Sequence, residues 1–170
     1  MIIDLTELES SPHPFDFTIP GADIDLDDVD LTLTGDVRLQ GEIFKRSAQV
    51  DVKGNISAPV ELDCTRCLEP VAQELNFDFA ASFVAPENFA LDKEREVAAE
   101  DLDVDVLDSD RIDLSEIARE QILLNLPGQV FCKPDCKGLC QKCGANRNLI
   151  DCKCDSDETD PRWAALKNLK

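Results

Sequence analysis

The chain has 170 residues, 43% of them apolar, and carries 17 Lys and Arg against 36 Asp and Glu, a net charge of −19. That length holds one domain, or one domain with a small appendage, and the apolar share suffices for a core. So negative a charge works against simple nucleic-acid binding, which relies on Lys and Arg at the phosphates. No apolar run approaches the roughly 18 residues of a membrane span. The opening MIIDLTELESSPHPFDF is acidic where a signal peptide is basic, so a cytoplasmic protein is expected.

From Phe15 to about Phe83 the apolar residues recur mostly at alternate positions: Phe15 and Phe17; Val29, Leu31 and Leu33; Val37, Leu39 and Gly41; Val50 and Val52; Val60 and Leu62; Leu75, Phe77 and Phe79. Short alternating runs between Gly, Pro, Asn and Asp predict antiparallel strands, with turns at Pro20-Gly21, Gly35-Asp36 and Gly54-Asn55. Residues 86–111 are acidic and poor in apolar positions, which predicts a connection with one strand at Val104–Leu107. A helix follows over 112–128. Asp113 can cap it, Glu116 stands three residues on as in a capping box, and Pro127-Gly128 stops it. Leu114, Ile117, Ala118, Ile122 and Leu126 form its apolar stripe. Near the end, Asp160-Pro161 starts a second short helix. Its stripe of Trp163, Leu166 and Leu169 either packs the tail back onto the body or docks elsewhere. The expected fold class is α+β: predominantly antiparallel β, a meander or partly closed barrel, with one docked helix and a small Cys-rich tail. The expected organisation is a β-rich body over 1–85, the acidic connection over 86–111, the helix packed on the body, and the Cys-rich tail over 131–170 with its terminal helix.

Six of the eight cysteines fall in FCKPDCKGLCQKCGANRNLIDCKCD, as Cys132, Cys136, Cys140, Cys143, Cys152 and Cys154. In a reducing compartment such a run points to metal ligands rather than disulfides. A tetrahedral zinc takes four thiolates at about 2.3 Å, and a CxxC turn supplies two of them. Cys140 and Cys143 form the core pair, with Gly144 at the sharp turn and Lys137, Lys142 and Lys153 offsetting the thiolate charge. The second pair is either Cys132 and Cys136 or Cys152 and Cys154. Six cysteines also allow a two-zinc cluster with shared sulfurs, and four would suit an iron–sulfur cluster, which ranks below zinc. The expectation is one structural Zn2+, with no coordination position open to substrate, folding a tail that has little apolar content of its own. Cys64 and Cys67 make a second CxxC after a strand. It reads as half a metal site, a redox pair or two buried thiols, and a thioredoxin-like reading lacks its βαβ context. The lone His13 sits between prolines, and no phosphate loop or GxSxG motif occurs, so no enzyme is expected.

The segments CTRCLEPV (64–71), DLSEIAREQILLNLP (113–127), CKPDCKGLCQKCG (132–144), the CxC at 152–154 and DPRWAALKNL (160–169) resemble, in order and spacing, the YceD family of bacterial and plastid proteins. These are also called large ribosomal RNA subunit accumulation proteins. The resemblance implies a non-enzymatic role in accumulation or processing of 23S ribosomal RNA during large-subunit assembly. The expected partners are precursor rRNA, a basic large-subunit ribosomal protein, or both, with no membrane and no small-molecule substrate. Residues 132–170 carry 8 Lys and Arg against 6 Asp and Glu, whereas residues 1–131 carry 9 against 30. Lys133, Lys137, Lys142, Arg147 and Lys153 are therefore the candidate RNA contacts, zinc knuckles being a known RNA module; Arg66, Lys45 and Arg46 are possible extensions. The acidic body suits the other reading, a chaperone or placeholder for a basic protein.

Overall fold

The computed structural model describes residues 1–8, 11–26, 31–46, 49–86, 104–107, 109–154 and 162. Alternating hydrophobicity becomes a sheet of long strands. Strands β1 (Ile2–Asp4), β2 (His13–Ile19), β3 (Leu31–Leu33), β4 (Val37–Lys45), β5 (Gln49–Asp63), β6 (Pro70–Val84), β7 (Val104–Val106) and β8 (Arg111–Asp113) precede one helix, α1 (Leu114–Leu124). The large sheet runs β2-β4-β5-β6-β7, with β3 also on β5, while β1 and β8 pair separately. The meander expected from sequence is the β4-β5-β6 run, and the path stays open at β2 and β7, so the described residues form no closed barrel. The last pairing, β6 with β7, is parallel.

Two expected turns are not turns. Gly54-Asn55 lies within β5, which is one strand from Gln49 to Asp63 rather than two. Gly54 faces Gly41 across the β4–β5 ladder. A Cβ on either residue would run into a backbone carbonyl of the opposite strand, Lys53 for Gly41 and Gln40 for Gly54. The glycines permit close strand approach, not reversal. At Gly35-Asp36 the chain also continues forward. Leu33 faces Val60 and Arg38 faces Ser57, so residues 34–37 stand opposite residues 58 and 59 alone, a bulge that interrupts one edge of β5. Pro20-Gly21 does end β2 and opens a 3-10 turn.

The chain clusters into two compact units: residues 1–62 with 72–128, and residues 63–71 with 129–170. In the first, Val37, Leu39, Ile43, Val52, Ile56, Ala58 and Val60 are fully buried. These are the inward positions of β4 and β5, as the period-two pattern requires. The one buried carboxylate among the described residues, Asp51, accepts hydrogen bonds from Gln49 and Ser82 and pairs with Arg46. Asp113 caps α1, its side chain accepting from Ser115 N. Leu114, Ile117, Ala118 and Ile122 are buried, whereas Leu126 lies past the helix end and is half-buried. No helix among the described residues is long and apolar enough to cross a membrane. Val29, most of the acidic connection and the second helix, with Trp163, Leu166 and Leu169, lie outside the described residues.

The second unit is built differently. It joins the connection between β5 and β6 to the Cys-rich segment, and its buried cluster is Cys64, Cys67 and Cys136, with Val71 and Leu139 packed against them. Sulfur stands where the first unit has Val, Leu and Ile.

Candidate metal centres

The eight cysteines gather into two groups of four, Cys64, Cys67, Cys132 and Cys136, and Cys140, Cys143, Cys152 and Cys154. In each group the four sulfurs lie within 4.8 Å of one another. Cys140 and Cys143 are thus joined by Cys152 and Cys154, and Cys132 and Cys136 by the mid-chain CxxC whose role the sequence left open. In the first set Cys64 Sγ is 3.9 Å from Cys136 Sγ, and Cys67 Sγ 3.5 Å from Cys132 Sγ. Four thiolates about 2.3 Å from a tetrahedral ion stand about 3.8 Å apart. The donor set and its spacing therefore fit a soft cation such as zinc.

Each set begins with a CxxC turn, and the two turns share one hydrogen-bond pattern. In the first, Leu68 N donates to Cys64 O at 2.9 Å and Cys64 N to Glu69 O at 2.9 Å. In the second, Gly144 N donates to Cys140 O at 2.8 Å and Cys140 N to Ala145 O at 2.8 Å. The residue after the second cysteine is left-handed in both, Leu68 at φ 59° and Gly144 at φ 70°. The leading sulfur of each turn is also bound alike. Burial pushes the Cys64 thiol up, but backbone bonds from Cys132, Arg66 and Cys67 bring it down to about 6. Backbone bonds from Cys143 and Lys142, helped by the neighbouring thiols, bring Cys140 to about 6. A backbone N–H aimed at a sulfur favours its thiolate.

Of the remaining thiols, Cys132 and Cys154 shift in the opposite direction. Burial, with the thiols of Cys67, Cys136 and Cys64 alongside, pushes Cys132 up to about 12. The Cys143 thiol, together with burial, pushes Cys154 up to about 11. Four sulfurs this close cannot all ionise by themselves, whereas a bound divalent ion deprotonates its thiol ligands outright. The Asn148 amide holds Cys136 below the usual thiol range, donating Nδ2–H to its Sγ at 3.2 Å.

The unit is tied together around these sets. Thr65 N and Oγ1 donate to Val130 O at 2.8 and 2.6 Å, and Val130 N donates back to Thr65 Oγ1 at 3.2 Å. Leu139 N donates to Arg66 O at 2.9 Å. Gly138 has φ 70°, and a Cβ there would meet that same Arg66 carbonyl. Asn148 belongs to the stretch between Cys143 and Cys152, yet bonds a sulfur of the first set, accepts from Lys137 N at 2.9 Å and donates to Asn146 Oδ1. Asn146 in turn donates to Glu69 at 3.1 Å. Lys133, Lys137, Lys142, Arg147 and Lys153 are all exposed on this unit, as is Arg66.

A family model described as large ribosomal RNA subunit accumulation protein YceD matches residues 52–170. The chain belongs to the YceD family. The match takes in every one of the eight cysteines. The chain is 30% identical over 169 residues to the uncharacterized protein YlbN of Bacillus subtilis (strain 168), covering 99% of this chain and 94% of that one. With the uncharacterized protein Rv2926c of Mycobacterium tuberculosis (strain ATCC 25618 / H37Rv) it shares 32% over 123 residues, 72% of this chain but 56% of the relative, so it spans little more than half of that protein. The large ribosomal RNA subunit accumulation protein YCED homolog 1, chloroplastic, of Arabidopsis thaliana is 26% identical over 155 residues, 79% of this chain and 48% of its own length. No solved structure matches.

What sequence reading missed was the pairing of Cys64 and Cys67 with Cys132 and Cys136. A signal was present, because CTRCLE and CQKCGA share the same two-cysteine spacing. The left-handed residue after each second cysteine betrays itself in Gly144 but is hidden in Leu68.

Proposed function

We propose that this YceD-family protein is a non-enzymatic factor for accumulation of large-subunit ribosomal RNA, acting in the cytoplasm, and that each four-cysteine set holds one structural zinc ion. The observation that carries the RNA part is family membership, with a plant relative named for that role. The zinc part rests on two sets of four thiols with the spacing of a closed tetrahedral site. Four protein sulfurs leave a zinc no position for water or substrate, which supports a structural rather than a catalytic ion. Lys133, Lys137, Lys142, Arg147 and Lys153 are the residues we assign to RNA, since they are exposed on the unit that the metal folds.

One observation favours a second reading. The sheet-bearing unit carries 8 Lys and Arg against 28 Asp and Glu, and the cysteine unit 9 against 8. A strongly acidic unit suits a placeholder that shields a basic ribosomal protein until RNA takes it over. Ultraviolet crosslinking in growing cells, followed by denaturing purification and sequencing of attached RNA, separates the two. Reads concentrated on 23S precursor support direct contact; protein free of RNA, with a basic ribosomal protein co-purifying, supports the placeholder.

A further inference from the structure

Outside the thiol sets, the described residues of the cysteine unit hold a cation over an aromatic ring. The guanidinium of Arg66 lies over the Phe131 ring, 4.4 Å from its centroid. Its Nη1 donates to Cys136 O at 3.0 Å. The three hydrogen bonds between Thr65 and Val130 hold the neighbours Arg66 and Phe131 face to face from both chains. Among the described residues Arg66 pairs with no carboxylate, although it is exposed. Phe131 keeps 37% of its surface in solvent. A planar cation fixed at one edge and on one face, on a residue exposed to solvent, has little rotamer entropy left to lose on binding.

We propose that the Arg66–Phe131 stack is a platform for one unpaired RNA base, which lies on the guanidinium face away from Phe131 while its phosphate takes the remaining guanidinium donors. The assignment rests on the RNA reading of this protein. Single-stranded RNA is read by stacking on aromatic rings and guanidinium planes, and stacking tolerates any base. Lys133 follows Phe131 by two residues and is exposed, so a second phosphate contact lies within reach along the chain. The net charge of −19 fits this mode better than duplex binding, because one stacked base needs few phosphates to be neutralised. A carboxylate peptide would also suit an exposed guanidinium, but it would draw no gain from the aromatic partner.

The test uses the full, zinc-loaded chain and a short fluorescent single-stranded RNA, with its duplex form as control, read by anisotropy at low salt. Arg66→Lys keeps the charge and loses the plane; Phe131→Leu keeps the apolar contact and loses the ring. Each should weaken single-strand binding about tenfold, the scale of one stacked base, while zinc content stays that of the parent protein. Duplex should bind more weakly than single strand. Affinity unchanged in both variants, or equal affinity for duplex, overturns the platform and leaves diffuse charge as the cause. Variants that bind RNA normally but no longer associate with large-subunit particles would put a protein on the stack and equally overturn it. A parent protein that binds no RNA and crosslinks to none in cells removes the RNA reading itself, a failure distinct from that of the platform.

Discussion

The two CxxC turns are close copies in backbone and opposites in surroundings. Each closes with the same pair of hydrogen bonds, four and five residues apart, and each aims backbone N–H groups at its leading sulfur. Yet in the first set Cys64, Cys67 and Cys136 are buried and only Cys132 is exposed, whereas in the second Cys140 and Cys152 are half-buried and Cys143 and Cys154 exposed. The first set closes a loop of the chain between residues far apart, 64 and 136, and forms the core of its unit. The second closes a local loop of 140–154. The same ligand chemistry is thus used once as a core and once as a clasp.

The largest effect expected of this difference comes from removing one ligand of each. Cys136→Ser should strip the first site, expose the buried cluster and open the whole cysteine unit to protease, because metal binding and folding are one event in such small sites. Cys154→Ser should halve the metal content and leave the first site loaded. Elemental analysis with limited proteolysis reads both. Equal damage from the two substitutions would erase the distinction between core and clasp.

Chelation should separate the sets in time. A chelator reaches exposed thiolates first, so metal should leave in two phases, the fast one carrying the Cys140 set. The Cys154→Ser protein should lack the fast phase. A single phase in the parent protein would mean that the sites empty together, and the Asn148 link is the contact that would make them do so.

Asn148 sits on the clasp and bonds a sulfur of the core. Hydrogen bonds to metal-bound groups set both their orientation and their affinity, and losing one costs about 10–100-fold in metal binding. Asn148→Ala should therefore weaken the first site by about that factor, although Asn148 stands among the ligands of the second. Competition titration with a metallochromic dye measures it. An effect confined to the second site would show that Asn148 serves only its own loop.

Much of this was legible in the sequence, and the exceptions share a cause. Alternation in Val37 and Leu39 and the stripe of Leu114, Ile117 and Ile122 read correctly, because burial of one face imposes a period. Gly54 misled because a glycine that lets two backbones approach has the same letter as one that turns a chain. The thiol pairing was harder still. Spacing reports only local partners, and Cys64 meets Cys136 from 72 residues away, where the Thr65–Val130 and Arg66–Leu139 hydrogen bonds join the two segments. The local half of each set, the CxxC, was visible; the distant half was not.

The smallest expected effect bears most directly on the comparison, since it concerns the one position where the turns differ in backbone demand. Leu68 holds φ 59° with 60% of its surface exposed, where the second turn has Gly144 at φ 70°. A left-handed conformation costs a residue with a Cβ about 1–2 kcal/mol, and glycine returns part of that through its larger unfolded-state entropy, about 0.4–1 kcal/mol. Leu68→Gly should thus stabilise the zinc-loaded protein by roughly 0.5–1 kcal/mol, read as a higher midpoint in denaturant. The reverse change, Gly144→Leu, should cost about the same, because no atom lies within 4 Å of a Cβ there and only the dihedral matters. If Leu68→Gly instead destabilises, the leucine side chain holds its turn closed by contacts that outweigh the dihedral. If it stabilises, the leucine is kept against the backbone's preference, and an exposed apolar side chain two residues from Arg66 belongs to whatever surface that arginine serves.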